Sequence, residues 1–298
     1  MEQATTFTTL GTAGGPILQP GRSQPAHLLT SGSQNILIDC GEGALGQLTR
    51  AGVGFRELEA VILTHHHFDH IGSLFALLGL SMMTQRRDPL RIYGPAGTQK
   101  IVASLIDACD VPNEIGFGVP GQKLPHARDF TVVQEIAPGD EVMIGEVRMT
   151  CCENTHYRGE DQHGQGGYLS LSLRFDTPDR SILVTGDTGS CRAVEALGQG
   201  VDLFVGELMD VEQTMEKVRA ANPDMPVDRI QMIGSHLAEH HLRPEQLGEM
   251  AARSGAGELV AIHFSPGMVT PESAPDYSAR IKAVFGGAVH LSEDLARY

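Results

Sequence analysis

The sequence predicts an α/β fold of four layers, αββα, with two similar halves in one domain spanning residues 1–298. Three observations predict it. Short continuous apolar runs, Ala60-Val61-Ile62-Leu63, Ser181-Ile182-Leu183-Val184 and Leu259-Val260-Ala261-Ile262, suit strands buried on both faces. Between such runs, apolar residues recur at three- and four-residue steps, which is the helical period. Each run also ends in side chains that bind metals, and these fall in both halves of the chain, so the cleft should lie where two sheets meet edge to edge.

Taken in order, strands are expected at about 5–10, 26–31 and 35–39, a helix at about 44–52, and a strand at about 59–64. A helix should begin near His70, because Ile71, Leu74, Phe75 and Leu78 share a face. Strand 90–93 leads to Gly94-Pro95, where proline suits a first helical turn, and Ile101, Leu105 and Ile106 carry that helix to about Cys109. Residues 111–129 hold Pro112, Gly116, Gly118, Pro120, Gly121 and Pro125, and so read as an ordered loop placed to wall or cover a site. His126 in this loop, and His163 in the Gly-rich segment 159–167, read as loop histidines. Strands near 130–151 and 168–175 follow. Asp210-Val211-Glu212-Gln213 has capping-box spacing and opens a helix to about Ala221, while Pro244 opens another that Gly255 stops.

The densest signal is Thr64-His65-His66-His67-Phe68-Asp69-His70. On an extended segment, His65 and His67 project to the same side and can hold one cation. Asp69 and His70 follow at once, and adjacent residues do not easily serve that same cation, so a second metal is expected beside the first. The strand-then-donor arrangement recurs at Val147 to Thr150 with His156, at Ser181 to Gly186 with Asp187, and at Leu259 to Ile262 with His263.

Together His65-X-His67-X-Asp69-His70, His156, Asp187 and His263 resemble the metallo-β-lactamase superfamily, whose fold is the αββα sandwich. The resemblance implies that His65, His67 and His156 hold one metal, that Asp69, His70 and His263 hold the second, and that Asp187 bridges both. Leu10-Gly11-Thr12-Ala13-Gly14-Gly15-Pro16, Asp39-Cys40-Gly41-Glu42-Gly43 and His263-Phe264-Ser265-Pro266 are similar to the branch that contains ribonuclease Z together with arylsulfatases and phosphodiesterases. In that branch a histidine that is not a ligand precedes a helix and reaches the scissile group. Counting back from Pro244-Glu245-Gln246 puts His241 there, with His236 and His240 as the alternatives. Two features depart from ribonuclease Z. The gap from His156 to Asp187 is too short for its transfer-RNA-gripping arm, and Pro16-Ile17-Leu18-Gln19-Pro20-Gly21-Arg22 replaces its Pro-Thr-Lys-X-Arg-Asn type loop.

The formal net charge of −15 and the absence of any Lys/Arg cluster disfavour a nucleic-acid partner and favour a small-molecule substrate. Arg158, two residues past His156, is the candidate to pair with an anionic substrate group. Five cysteines, with no Cys-X-X-Cys pair, read as reduced thiols. Cys40 follows a strand end and is weighed as a ligand, whereas Asp39 is expected to orient a ligand histidine or shape the turn. No apolar run is long enough to span a bilayer, and the start, Met1-Glu2-Gln3-Ala4-Thr5-Thr6, lacks a secretory signal. A cytoplasmic location, no membrane contact and a homodimer, the last by resemblance, are therefore expected.

The expected activity is that of a binuclear zinc hydrolase, with manganese or iron as alternatives because histidine and carboxylate accept all three. A metal-bridging hydroxide would attack a small ester, lactone, sulfate ester or phosphodiester, and His241 and Asp69 are the catalytic candidates. Segments 16–25, 111–129 and 157–167 should frame the pocket. Two alternatives stand beside this: a ribonuclease Z-type transfer RNA 3′ endonuclease, and iron-dependent oxygen chemistry. A non-catalytic metal-binding protein should have lost a ligand, and none is missing.

Overall fold

A computed structural model describes residues 4–158 and 167–298. The first sheet grows from β1 (Thr6–Gly11), β2 (Ala26–Ser31) and β3 (Gln34–Ile38), followed by α1 (Ala44–Arg50) and β4 (Ala60–Ile62). The donor loop then leads to α2 (Phe68–Ile71) and α3 (Leu74–Met83), two short helices separated at Gly72, where a single helix was expected. β5 (Leu90–Gly94), α4 (Thr98–Ala108), α5 (Asp110–Ile115), α6 (Ala127–Phe130) and β6 (Thr131–Glu135) complete this half. The second half comprises β7 (Glu141–Ile144), β8 (Val147–Glu153), β9 (Leu171–Asp176), β10 (Ser181–Val184), α7 (Arg192–Leu197), β11 (Leu203–Glu207), α8 (Val211–Ala221), α9 (Val227–His240), α10 (Pro244–Arg253), β12 (Glu258–Ile262), α11 (Ala274–Lys282), β13 (Ala288–Leu291) and β14 (Ala296–Arg297).

Two seven-stranded sheets result, in the orders β14-β1-β2-β3-β4-β5-β6 and β13-β12-β11-β10-β9-β8-β7. Strand alternation explains why each apolar run is continuous. Ala60 and Ile62, like Val205, Val260 and Ile262, face a core shared by both sheets. Val61 and Leu63 turn instead toward the helices of the first half, with Leu74, Leu78 and Val102, while Phe204, Leu259 and Ala261 meet Leu247, Met250 and Ile281 of the second. A strand buried on both faces has no polar side to show, and the stacking is the αββα sandwich that the sequence predicts. The last residues tie the sheets together, because β13 pairs with β12 in one sheet and β14 with β1 in the other.

Two local readings need correction. Residues 111–129 are not all loop: α5 forms because Pro112 sits in its first turn, where a missing N–H costs nothing, and Gly116 (φ 53°) ends it. α6 is capped by His126 and Asp129 reciprocally. The expected capping box on α8 is only half made. Asp210 accepts from the Gln213 N–H at 2.9 Å, but the Gln213 side chain accepts from Lys217 Nζ instead. Helix α9 was not foreseen. No helix among the described residues is long and apolar enough to cross a membrane.

Candidate metal centre

Parallel strands β3 and β4 in one sheet, and β10, β11 and β12 in the other, end on the same side, so the residues just past them converge. The seven sequence-selected donors come together in two groups, His65, His67, His156 and Asp187 in one, and Asp69, His70 and His263 in the other. Asp187 reaches both groups. Its Oδ2 lies 3.9 Å from His65 Nε2 and 3.7 Å from His156 Nε2, while Oδ1 lies 3.4 Å from His70 Nε2 and Oδ2 3.1 Å from His263 Nε2. Asp69 Oδ2 is 3.6 Å from His70 Nε2 and 3.5 Å from His263 Nε2.

The residues fit a cation pair. Nε2 of His65, His70 and His263 are buried without a hydrogen-bond partner, an arrangement costing about 1–3 kcal/mol per orphaned group unless a ligand takes it up. Burial, then the charge of His70, keeps His65 well below the usual imidazole range, and burial does the same for His156. Both are thus in the neutral form that coordinates metal. Burial opposes a charged His70, but Asp187 and Asp39 outweigh it and raise its pKa; Asp187 and Asp69 likewise lift His263 to about 9. A cation taken up here displaces those protons.

Hydrogen bonds aim the donors. His70 Nδ1–H donates to Asp39 Oδ2 at 2.8 Å, and Asp39 Oδ1 accepts from the Thr64 N–H at 2.8 Å. Thr64 Oγ1 in turn sits 3.0 Å from His65 Nδ1, so one carboxylate orients two imidazoles and shapes the turn as well. Asp39 (φ 57°) and His263 (φ 60°) each follow a strand's last residue in the left-handed region, where non-glycine backbone is strained, a strain that collects at functional sites. The Gly15 N–H donates to Asp69 Oδ2 at 2.9 Å. His67 is the exposed member of the seven. Cys40 lies in the apolar core under α1 and burial raises its thiol pKa strongly, so it turns away from the donors. Cys40, Cys109, Cys151 and Cys152 are free thiols.

Among the three candidate histidines, His241 is the one packed on the donors, its ring 4.9 Å from His156 and 6.2 Å from His263. Its Nδ1–H donates to Glu207, at 2.8 Å to Oε2. Burial opposes its charge, yet Glu207 raises its pKa. His240 Nδ1–H donates to the Thr155 carbonyl at 2.5 Å, and His236 packs its ring at a tilt on His240 and lines the adjoining cleft. Sequence reasoning missed Glu207. The signal was there: Leu203-Phe204-Val205-Gly206 is another apolar run that ends in a carboxylate.

That cleft has a volume of about 710 Å³ and opens on His67 and His156. Its walls are α4, Tyr157, Tyr168 and His236, so among the described residues segments 16–25 and 111–129 do not line it, contrary to expectation. Of segment 157–167, Tyr157 is a wall; residues 159–166, including His163, lie outside the described residues. Arg158 is held by Glu153 at 2.8 Å and by the Tyr168 carbonyl at 3.2 Å, and must leave them to meet a substrate. Lys100 carries the positive charge on the cleft wall.

A family model described as beta-lactamase superfamily domain matches residues 34–264. The ribonuclease Z of Mycobacterium avium (strain 104) is 30% identical over 295 residues, covering 97% of this chain and 96% of that one. Among solved structures, the metallo-beta-lactamase fold protein YhfI from Bacillus subtilis superposes with a TM-score of 0.72 at 20% identity, covering 99% of this chain and 98% of the other. The human tRNase Z short form superposes with a TM-score of 0.67 at 20% identity, covering 98% of each. These two carry the fold. The end-to-end ribonuclease Z match overturns the expectation of a small-molecule substrate with nucleic acid disfavoured. It leaves no arm-sized insertion unmatched, and a net charge summed over the whole surface does not report the charge inside one cleft.

Proposed function

The chain belongs to the beta-lactamase superfamily and to its ribonuclease Z branch, and from that premise we propose that it is an endonuclease that removes 3′ extensions from transfer RNA precursors. It is a metal-dependent hydrolase. The observation that carries the finer reading is the match to a ribonuclease Z over almost the whole of both chains. The His241–Glu207 pair, buried beside the donors, supports it.

We assign His65, His67 and His156 to one zinc ion, Asp69, His70 and His263 to a second, and Asp187 to both, with manganese or iron the alternatives for a donor set of nitrogen and oxygen without thiolate. When bound, the ions supply Lewis acidity and lower the pKa of water from 15.7 to about 7. The chain's own residues do the rest. With Oδ2 held by Gly15, Asp69 has Oδ1 left to accept a proton from the attacking water. Glu207 holds His241 at Nδ1, so Nε2 is the atom left to protonate the leaving oxygen. We read residues 1–298 as one domain, supported by the core shared between the sheets, and as cytoplasmic, supported by the free thiols of Cys40, Cys109, Cys151 and Cys152.

Incubating the zinc-loaded protein with a transfer RNA precursor bearing a 3′ extension tests the reading. Release of the extension by a single cut is expected, with loss on chelation and return with zinc. A fully metal-loaded protein that leaves the precursor intact would sink it.

A further inference from the structure

The cleft beside the donors has a mixed lining of apolar, aromatic and cationic side chains. Ile101 and Leu105 make its α4 wall apolar, with Lys100 as the cation among them. No carboxylate pairs with the Lys100 side chain among the described residues. The start of α4 is already neutralised, because Glu135 accepts from the Gly97 N–H at 2.8 Å and the Gln99 N–H at 3.0 Å. An anion drawn here therefore meets Lys100 and not the helix end.

The two tyrosines differ. Tyr157 is built into the wall: its hydroxyl accepts from the His66 N–H at 3.1 Å and its ring stacks on His156 at 5.6 Å. Tyr168 is 49% exposed and lies against Gly97, where any Cβ would come within 2.9 Å of the ring. Its ring lines the cleft. An exposed aromatic ring, an apolar wall and one cation form the combination by which proteins hold unpaired nucleotides. A duplex keeps its bases stacked inside and offers Tyr168 no face.

Resting on the ribonuclease reading, the geometry points to a subsite for one unpaired nucleotide next to the scissile phosphate, with its base stacked on Tyr168 and its phosphate against Lys100. The test uses the zinc-loaded protein and a precursor with a single-stranded extension, intact or carrying an abasic position within two nucleotides of the cut. Stacking of one base predicts that Tyr168→Ala lowers kcat/KM about 5- to 100-fold on intact RNA. Tyr168→Phe restores it, and the abasic RNA penalises the wild type but not Tyr168→Ala. Lys100→Gln lowers the slope of log K against log salt by about 1. Equal cleavage of intact RNA by Tyr168→Ala and wild type, or an undiminished abasic penalty in Tyr168→Ala, overturns the subsite while the endonuclease reading stands. If the wild type does not cut the precursor at all, both fall.

Discussion

The floor of the site and its wall are built by different means. On the floor, His65, His156, Asp187 and His263 sit one to three residues past the ends of β4, β8, β10 and β12, with His67, Asp69 and His70 following in the loop and first turn after β4, and hydrogen bonds such as Asp39 to His70 lock their rings. The wall is assembled from helices α4 and α9 and a loop, and Tyr168 meets Gly97 there by packing alone. Strand ends fix position to the register of a sheet, which suits metal geometry. Helix faces and loops tolerate change, so this scaffold can keep its chemistry while varying what it accepts.

Breaking the floor should cost most. Asp187→Ala removes the carboxylate that reaches both donor groups, and should weaken metal binding by more than about 100-fold, since even partners of ligands cost 10- to 100-fold. Metal analysis after dialysis checks it, and activity should be lost with the metal. Next comes His241→Ala, which should retain the metal and lower kcat about 10²- to 10⁴-fold, the worth of a general acid. If it loses metal as readily as Asp187→Ala, His241 is a ligand and its assigned role is wrong.

Glu207→Gln sharpens the same distinction through pH. Glu207 raises the His241 pKa against burial, and a general acid works only below its pKa, so activity falls as pH rises through that value. Removing the carboxylate charge should move this alkaline limb to lower pH with metal content unchanged; a limb that stays in place would separate Glu207 from catalysis. Asp39→Asn should weaken metal binding about 10- to 100-fold, seen as a lower chelator concentration for half-inactivation. The smallest effect belongs to the wall. Gly97→Ala, at φ 105° and pressed on Tyr168, should cost about 1–3 kcal/mol of stability and raise KM for RNA with little change in kcat, measured by thermal unfolding and steady-state kinetics.

The strand-borne floor was legible because a buried strand leaves a continuous apolar run and a donor just beyond it, as at Ile262-His263 and Val184-Thr185-Gly186-Asp187. Glu207, the last residue of β11, carries that signature too, but a lone carboxylate at a strand end has no spacing partner in the sequence. The wall left no such trace. Helix α9 is mostly polar on its surface, and Lys100 reads in the sequence as an ordinary helical lysine. The substrate class was misjudged for a related reason: net charge counts every surface residue equally, whereas an RNA strand meets only those in its path.

By itself the sequence determined the αββα architecture and which seven side chains gather, because apolar periodicity and donor spacing are local properties of the chain. Only the tertiary structure decided which histidine of His236, His240 and His241 faces the donors, that Glu207 stands behind it, and that α4 and Tyr168 form the cleft. Those are contacts between residues far apart in the chain, created by the stacking of two sheets and their helices, and nothing in the local pattern encodes them.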